Sequence, residues 1–194
     1  MMATDENTNI TITIPNNRNT TTNQSGTIQI TLNKYESYLI NSQGSNNDLQ
    51  ATYVESDKPI IVQSGSASGS LGQSNGQDYG MDQLVGFEKI GNEYILVQGE
   101  RGNDANLDIE NILIIATENG TTVNVNENPQ NLDKGQTLLL EGGTYRNGTI
   151  YLNSNNDIYV FQGLGRRYAN SAYPDANQGL FIVPPLSCST RGNV

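Results

Sequence analysis

The sequence contains no histidine and no tryptophan, and Cys188 is its single cysteine. Without histidine, the Ser-His and Cys-His pairs of the common hydrolases and all histidine-ligated zinc sites are excluded. One cysteine cannot form a disulfide within the chain. The absence of these residue types therefore excludes the commonest nucleophilic and metal-assisted enzyme mechanisms.

Positive charge and long apolar runs are also scarce. The chain has 10 Lys and Arg against 20 Asp and Glu, a formal net charge of −10. Such a surface repels a phosphate backbone and an anionic membrane. The longest unbroken apolar run, Ile112 to Ala116, is far shorter than the roughly 20 residues that span a bilayer. We expect neither nucleic-acid binding nor membrane insertion.

The residues that are abundant favour strands and turns. There are 27 Asn, which suit turns, and 17 Thr, which suit strands. Apolar and polar residues alternate in Ile10–Ile14, Thr27–Leu32 and Thr122–Asn126, as half-buried strands require. Met81–Ile90 is predicted to be a short helical turn or loop. Further strands are predicted at 37–40, 51–54, 60–63, 93–98, 111–116, 137–140, 149–152, 158–162 and 180–183.

The chain also repeats itself. Leu32–Asn41 aligns without a gap on Leu132–Glu141, and Thr52–Val62 aligns on Ile150–Val160. One four-strand unit thus occurs twice, at about residues 8–65 and 121–163. Each unit has one apolar face that it cannot bury alone. We predict one all-β domain over residues 1–194, with antiparallel strands in stacked units like a β-sandwich or, alternatively, a propeller-like array.

Acidic residues cluster between Asp78 and Glu118, and one stretch there has the spacing of a calcium loop. Oxygen-bearing side chains stand at every second residue: Asp104, Asn106, Asp108 and Glu110. Calcium prefers such ligands, although the full EF-hand pattern is absent. These four residues are the predicted metal site, with an acidic solvated loop as the alternative, and no cofactor other than calcium is indicated.

Two further groups are candidates for ligand contact. Arg166 and Arg167 form the one basic cluster, which offers bidentate donors to a carboxylate or else neutralises acidic surface. Tyrosine combines a flat apolar ring with a hydroxyl group, and four tyrosines fall in predicted loops. The predicted ligand-binding residues are Tyr79, Tyr145, Arg166, Arg167, Tyr168 and Tyr173. For Tyr53, Tyr94, Tyr151 and Tyr159, cross-strand packing is the favoured interpretation.

Several segments resemble one family. They are Gly76–Leu84, Gly91–Val97, Ile112–Thr117, Thr121–Val123 and Ala176–Cys188. They resemble the N-terminal domain family named after the mucosal IgG Fc-binding protein, in the version found in large surface proteins of gliding, Bacteroidota-type bacteria. The resemblance implies a secreted adhesin at the bacterial cell surface. In that family the chain continues past Arg191–Asn193, so we expect this chain to be a fragment.

Three functions follow as hypotheses. The first is an extracellular, non-catalytic adhesion or ligand-binding module that binds a glycan, mucin-like or protein ligand. The second is a structural spacer of a surface filament that binds only neighbouring modules. The third is a carbohydrate-active enzyme with two carboxylates, such as Asp78 and Asp82, flanking a sugar bond.

Overall fold

The structure is a computed structural model, which describes residues 1–15, 18, 20–42, 49–69, 71, 78–99, 110–164 and 179–188. Strands dominate these residues, and 3-10 turns occur at Phe87–Lys89, Gly142–Thr144 and Leu186–Cys188. The strands are β1 Met2–Ala3, β2 Thr8–Thr13, β3 Thr27–Leu32, β4 Tyr53–Ser56, β5 Ile60–Gly69, β6 Asp78–Leu84, β7 Gly91–Val97, β8 Glu110–Ala116, β9 Thr121–Val125, β10 Asn128–Leu132, β11 Thr137–Leu140, β12 Thr149–Leu164 and β13 Leu180–Ile182. The predicted all-β, antiparallel fold is confirmed.

The chain divides into two compact units, Met1–Gln63 and Ser64–Val194. In unit 1, β2 lies between β3 and β4. The alternation in β2 places Ile10 and Ile12 inside, where they pack with Ala3, Ile14, Ile28 and Leu32. The β1 strand pairs with the start of β5, which continues into unit 2 and pairs there with β6.

Unit 2 contains a seven-stranded, strongly curled sheet in the order β10-β9-β12-β8-β11, with β7 and β13 also paired to β12. The long β12 strand changes partners along its length. Its first half lies between β7 and β9, and its second half lies between β8 and β13. The register shifts between Asn153 and Ile158, so the two strands predicted at 149–152 and 158–162 are one strand with a bulge. This bend wraps the sheet around a buried apolar core.

Other element predictions need correction. The first part of the predicted turn, Met81–Leu84, belongs to β6, whose backbone pairs with β5. A helical turn is present in the second part, at Phe87–Lys89. Asn128–Leu132 forms β10, which the sequence did not predict because all but its last residue are exposed. The segment predicted as a strand at 37–40 makes only an isolated bridge at Ser37.

The two segments that align in sequence share one pairing pattern. Ile12 pairs with Val54 as Val125 pairs with Leu152. Likewise, Ile10 pairs with Ile30 as Val123 pairs with Gln130. The correspondence continues upstream of the aligned segments, because Ala3 pairs with Ile60 as Ala116 pairs with Ile158. Strands β1, β2 and β3 therefore correspond in register to β8, β9 and β10, and β4 and the start of β5 correspond to the two halves of β12.

Turn hydrogen bonds repeat as well. The Asn33 N–H donates to the Glu36 carboxylate at 2.7 Å, and the Asp133 N–H donates to Gln136 Oε1 at 2.8 Å. The reverse backbone bonds, from Glu36 to Asn33 and from Gln136 to Asp133, measure 2.9 and 2.8 Å. A shared turn with shared side-chain caps indicates one duplicated structural unit.

Candidate functional site

The end of unit 2 where β8 begins and β12 ends contains a buried polar cluster of Glu110, Asn111, Tyr145 and Gln162. Glu110 pairs with Leu164, the last residue of β12. The predicted calcium segment precedes Glu110 in sequence, and the predicted arginine pair follows Leu164. The backbone thus places Glu110, the described residue of the predicted calcium segment, opposite Leu164.

Glu110 is the one predicted metal ligand among the described residues, and its carboxylate is engaged by protein donors. The Gly99 N–H lies 2.9 and 3.1 Å from its two oxygens, and the Gln162 amide donates to Oε2 at 3.3 Å. These bonds join the start of β8 to the segment that follows β7 and to β12. A calcium ion at Glu110 would have to share or displace these donors.

Tyr145 lies in the apolar core of unit 2 with 8% of its surface exposed. Its hydroxyl group makes no hydrogen bond in the part of the chain that the structure describes. Gln162 lies beside it, but the Gln162 amide donates to the Val97 carbonyl at 3.1 Å and to Glu110. Burial, and then the charge of Glu110, raise the pKa of Tyr145. A ligand would have to enter the core to touch this ring.

The other predicted site residues fall outside what the structure describes. Asp104, Asn106, Asp108, Arg166, Arg167, Tyr168 and Tyr173 lie outside the described residues, and so does the side chain of Tyr79. Among the described residues, no three His, Cys, Asp or Glu side chains come together as a metal site. The calcium and ligand-contact assignments of these residues stay predictions.

The outer surface of the sheet carries a second feature, which we call the β7–β12 face: Glu93, Ile95, Val97, Thr149 and Tyr151. These residues point away from the core because they alternate with the buried residues of β7 and β12. Ile95 pairs directly with Tyr151, and Val97 pairs with Thr149. Ile95, Val97 and Tyr151 are 50%, 63% and 38% exposed. The face therefore presents two aliphatic side chains and an aromatic ring to solvent.

Polar groups border this apolar centre and hold it in place. The Tyr151 hydroxyl donates to the Glu93 carboxylate at 2.6 Å, and this bond raises the pKa of Tyr151. Beyond Tyr151, the Asn124 amide donates to Asn153 at 2.7 Å. An apolar centre with a polar border on a hydrogen-bonded sheet has the composition of a protein-binding surface.

An open groove of about 390 Å³ lies between the β9–β10 hairpin and β11. Its lining combines amides and one cation with aliphatic side chains. Asn126 lines it and also accepts the Tyr151 N–H at 3.1 Å, and its amide donates to the Thr144 carbonyl. Arg146 is the charged residue of the lining. The groove offers hydrogen-bond donors on the side of the sheet that carries the apolar core, whereas the β7–β12 face lies on the other side.

Sequence reasoning did not assign the β7–β12 face to binding. The strand at 93–98 was predicted, and the cross-strand packing expected of Tyr151 is what the structure shows. The available signal was the alternation in Glu93–Val97, which puts Ile95 and Val97 on the side opposite Tyr94 and Leu96. Which side faces solvent depends on the partner strands, and a single sequence does not give these.

The comparison with protein families decides the classification. The family model described as IgGFc binding protein matches residues 1–193. The chain belongs to the IgGFc-binding protein family. No curated protein and no solved structure matches the chain. Membership indicates an extracellular ligand-binding module, since domains of this family are typically extracellular. No helix in the described part of the chain is long and apolar enough to cross a membrane.

Proposed function

We propose that the chain is a non-catalytic adhesion module at a bacterial cell surface that binds a protein ligand through the β7–β12 face. The observation that supports this most directly is the exposed pair Ile95 and Tyr151 on adjacent strands, with Val97 beside them. A few side chains near the centre of an interface, with tyrosine among the commonest of them, supply most of the free energy of protein association. The family points to a protein ligand as well.

The rigidity of the face favours binding. Its strands pair along Thr149–Asn153, and their inner side chains Tyr94 and Leu96 are buried. A surface held by the core loses little conformational freedom when a partner docks. The acidic net charge favours a ligand that is basic or locally basic. IgG Fc, named in the family description, is one ligand to test, and mucin-like proteins are another.

A binding panel tests the proposal. The purified chain is immobilised and exposed to IgG Fc, mucin, and sialylated and neutral glycans, each with calcium and with chelator. We expect saturable binding to one of the proteins. Binding that disappears with chelator would show that calcium is required and would support the predicted site at Asp104–Glu110. Binding to none of the ligands, or to free glycans alone, would contradict a protein-binding function.

The structural spacer is a second candidate, and the duplicated pairing pattern supports it, because repeats commonly extend a filament by stacking. A spacer needs no exposed recognition surface. It predicts that the panel is negative and that contacts between modules are the measurable interactions. The panel therefore separates the two functions.

A further inference from the structure

In unit 2, the first half of β12 has a partner on each side. Leu152 pairs with Val125 of β9 and, on the other edge, with Tyr94 of β7. Tyr94 and Leu96 of β7 point inward, and Tyr94 is 0% and Leu96 1% exposed. The β7 strand thus closes one edge of the unit 2 core.

In unit 1, β4 takes the place of this half of β12, and Val54 corresponds to Leu152. Val54 pairs with Ile12 of β2. On its other edge, where unit 2 has β7, no strand pairs with β4 among residues 1–15, 20–42 and 49–69. Among the described residues, the first half of β12 therefore has a neighbouring strand, β7, that β4 lacks.

The hydrogen-bond direction along β4 shows which backbone groups face that edge. The Asp57 N–H donates to the Asn9 carbonyl at 3.1 Å, so the backbone of Asp57 faces β2. Successive residues of a strand direct their N–H and C=O groups to opposite edges. Glu55 therefore also faces β2, and Val54 and Ser56 face the other edge.

Burial differs between the units as a missing strand predicts. Leu152 and Ile158 of unit 2 are both 0% exposed. The corresponding residues of unit 1, Val54 and Ile60, are only half-buried. Since the pairing registers are the same, the difference reflects the cover that β7 gives in one unit.

We propose that the β4 edge, Tyr53–Ser56, accepts an extended segment of a partner protein as an added antiparallel strand. The segment carries an aromatic residue opposite Val54 and an aliphatic residue two positions later, as Tyr94 and Leu96 do in β7. Strand addition satisfies the edge N–H and C=O groups, and the alternate side chains complete the core. This inference does not depend on the β7–β12 face.

The β7 sequence itself is the probe. A peptide with the sequence of residues 89–98 is added to the full chain, and binding is measured by anisotropy together with amide hydrogen exchange. We expect saturable binding and slower exchange at the Val54 amide. The Glu55 amide, which faces β2, is the internal control and should change little.

Two N-methylated peptides test the strand geometry. In the expected register the Tyr94 N–H faces β4 and the Ile95 N–H faces solvent. Methylation at Tyr94 should weaken binding at least about tenfold, and methylation at Ile95 should leave affinity within about threefold, since only the first removes an interstrand hydrogen bond. Equal affinities for the two peptides would overturn the proposal.

A variant of the protein tests the same hydrogen bonds by changing β4 instead of the peptide. Val54→Pro removes an N–H that β2 does not use, and proline is tolerated where a strand's N–H faces an open edge. We expect native circular dichroism and at least about tenfold weaker peptide binding. Unchanged peptide binding by the folded variant would overturn the proposal. A second result would also overturn it: the native chain binds no peptide but self-associates, and Val54→Pro abolishes the self-association. The β4 edge would then bind a second copy of the chain.

Discussion

Tyr94 shows how a single residue holds the unit 2 core together. Its hydroxyl donates to the Ile158 carbonyl at 2.6 Å and accepts the Gly91 N–H at 3.1 Å, with the ring fully buried. It thereby joins β7 to the β12 bulge. Burial is the main cause that raises the pKa of Tyr94 to about 12.

Tyr94→Phe is therefore expected to lower the free energy of unfolding by about 1–3 kcal/mol, because two buried backbone groups lose their partner. Chemical denaturation measures this difference. Tyr35→Phe, at a residue 71% exposed, is the control and should change little. Equal stability of the two variants would contradict the structural role of the hydroxyl.

The raised pKa also predicts a pH dependence. The unfolded tyrosine ionises near pH 10, whereas folded Tyr94 keeps its proton to about pH 12. Its contribution to stability is thus complete below pH 10 and is lost as the pH rises from 10 to 12. The pKa of Tyr145 is also raised, so its contribution to stability is likewise lost at alkaline pH. Stability curves of Tyr94→Phe should fall less steeply over this range than those of the native chain, and parallel curves would be the contrary result.

At Gly163 the neighbouring backbone leaves no room for a side chain. A Cβ there would lie 2.7 Å from the Gly179 carbonyl oxygen beside the paired strand, whereas a Cβ at Gly179 would meet nothing within 4 Å. Gly163→Ala should cost about 1–3 kcal/mol of stability. Gly179→Ala should be close to neutral. Thermal unfolding of both variants tests the pairing of β12 with β13, and a neutral Gly163→Ala would count against it.

At the scale of elements, the β9–β10 hairpin turns through Asn126 and Glu127, whose φ angles are +47° and +73°. Two positive φ angles define the turn that favours Asn-Gly. The neighbouring turn at Asn147-Gly148 already has this sequence, with φ of +52° and +78°.

Replacing Glu127 by glycine should therefore stabilise the chain by about 0.5–1 kcal/mol, because the left-handed conformation strains a side chain. The reverse change, Gly148→Glu, should destabilise it at the sister turn. Denaturant midpoints measure both changes. Destabilisation by Glu127→Gly would show that the side chain contributes more than the strain costs.

The elements also show what a sequence can and cannot predict. Alternation predicted β2, β3 and β9, because each has one buried and one exposed side. It missed β10 because that strand is stabilised by pairing with β9 and buries little. It divided β12 in two because the turn-forming composition of Asn153–Asp157 coincides with the bulge. The partners of β12 lie far away in sequence, and β10 pairs with its neighbour β9 without burying an apolar side, so alternation shows neither case.

The candidate site was less predictable than the fold. Glu110 and Tyr145 were chosen for their chemistry, and both are buried. Ile95 and Val97 are apolar, so their chemistry gave no signal, and their exposure depends on which side of the sheet the core occupies. A surface made of ordinary aliphatic residues is visible only once the fold is known.

At the scale of the whole molecule, the chain contains two units with matching strand registers. In unit 2, β7 pairs with the half of β12 that corresponds to β4. In unit 1, no described strand pairs with β4 at the same edge. The β7 strand does two things: its inner side closes a core, and its outer side provides Ile95 and Val97 to the proposed binding face. On the proposed function, the difference between the units is also a functional difference.

The affinity of the chain for the protein ligand identified in the panel, measured with paired surface variants, tests this account most directly. Ile95→Ser with Val97→Ser should leave the fold intact and weaken binding at least about tenfold. Leu39→Ser removes a side chain that is 78% exposed in unit 1 and should leave affinity unchanged. Undiminished binding by the double variant would contradict the assignment of binding to the β7–β12 face.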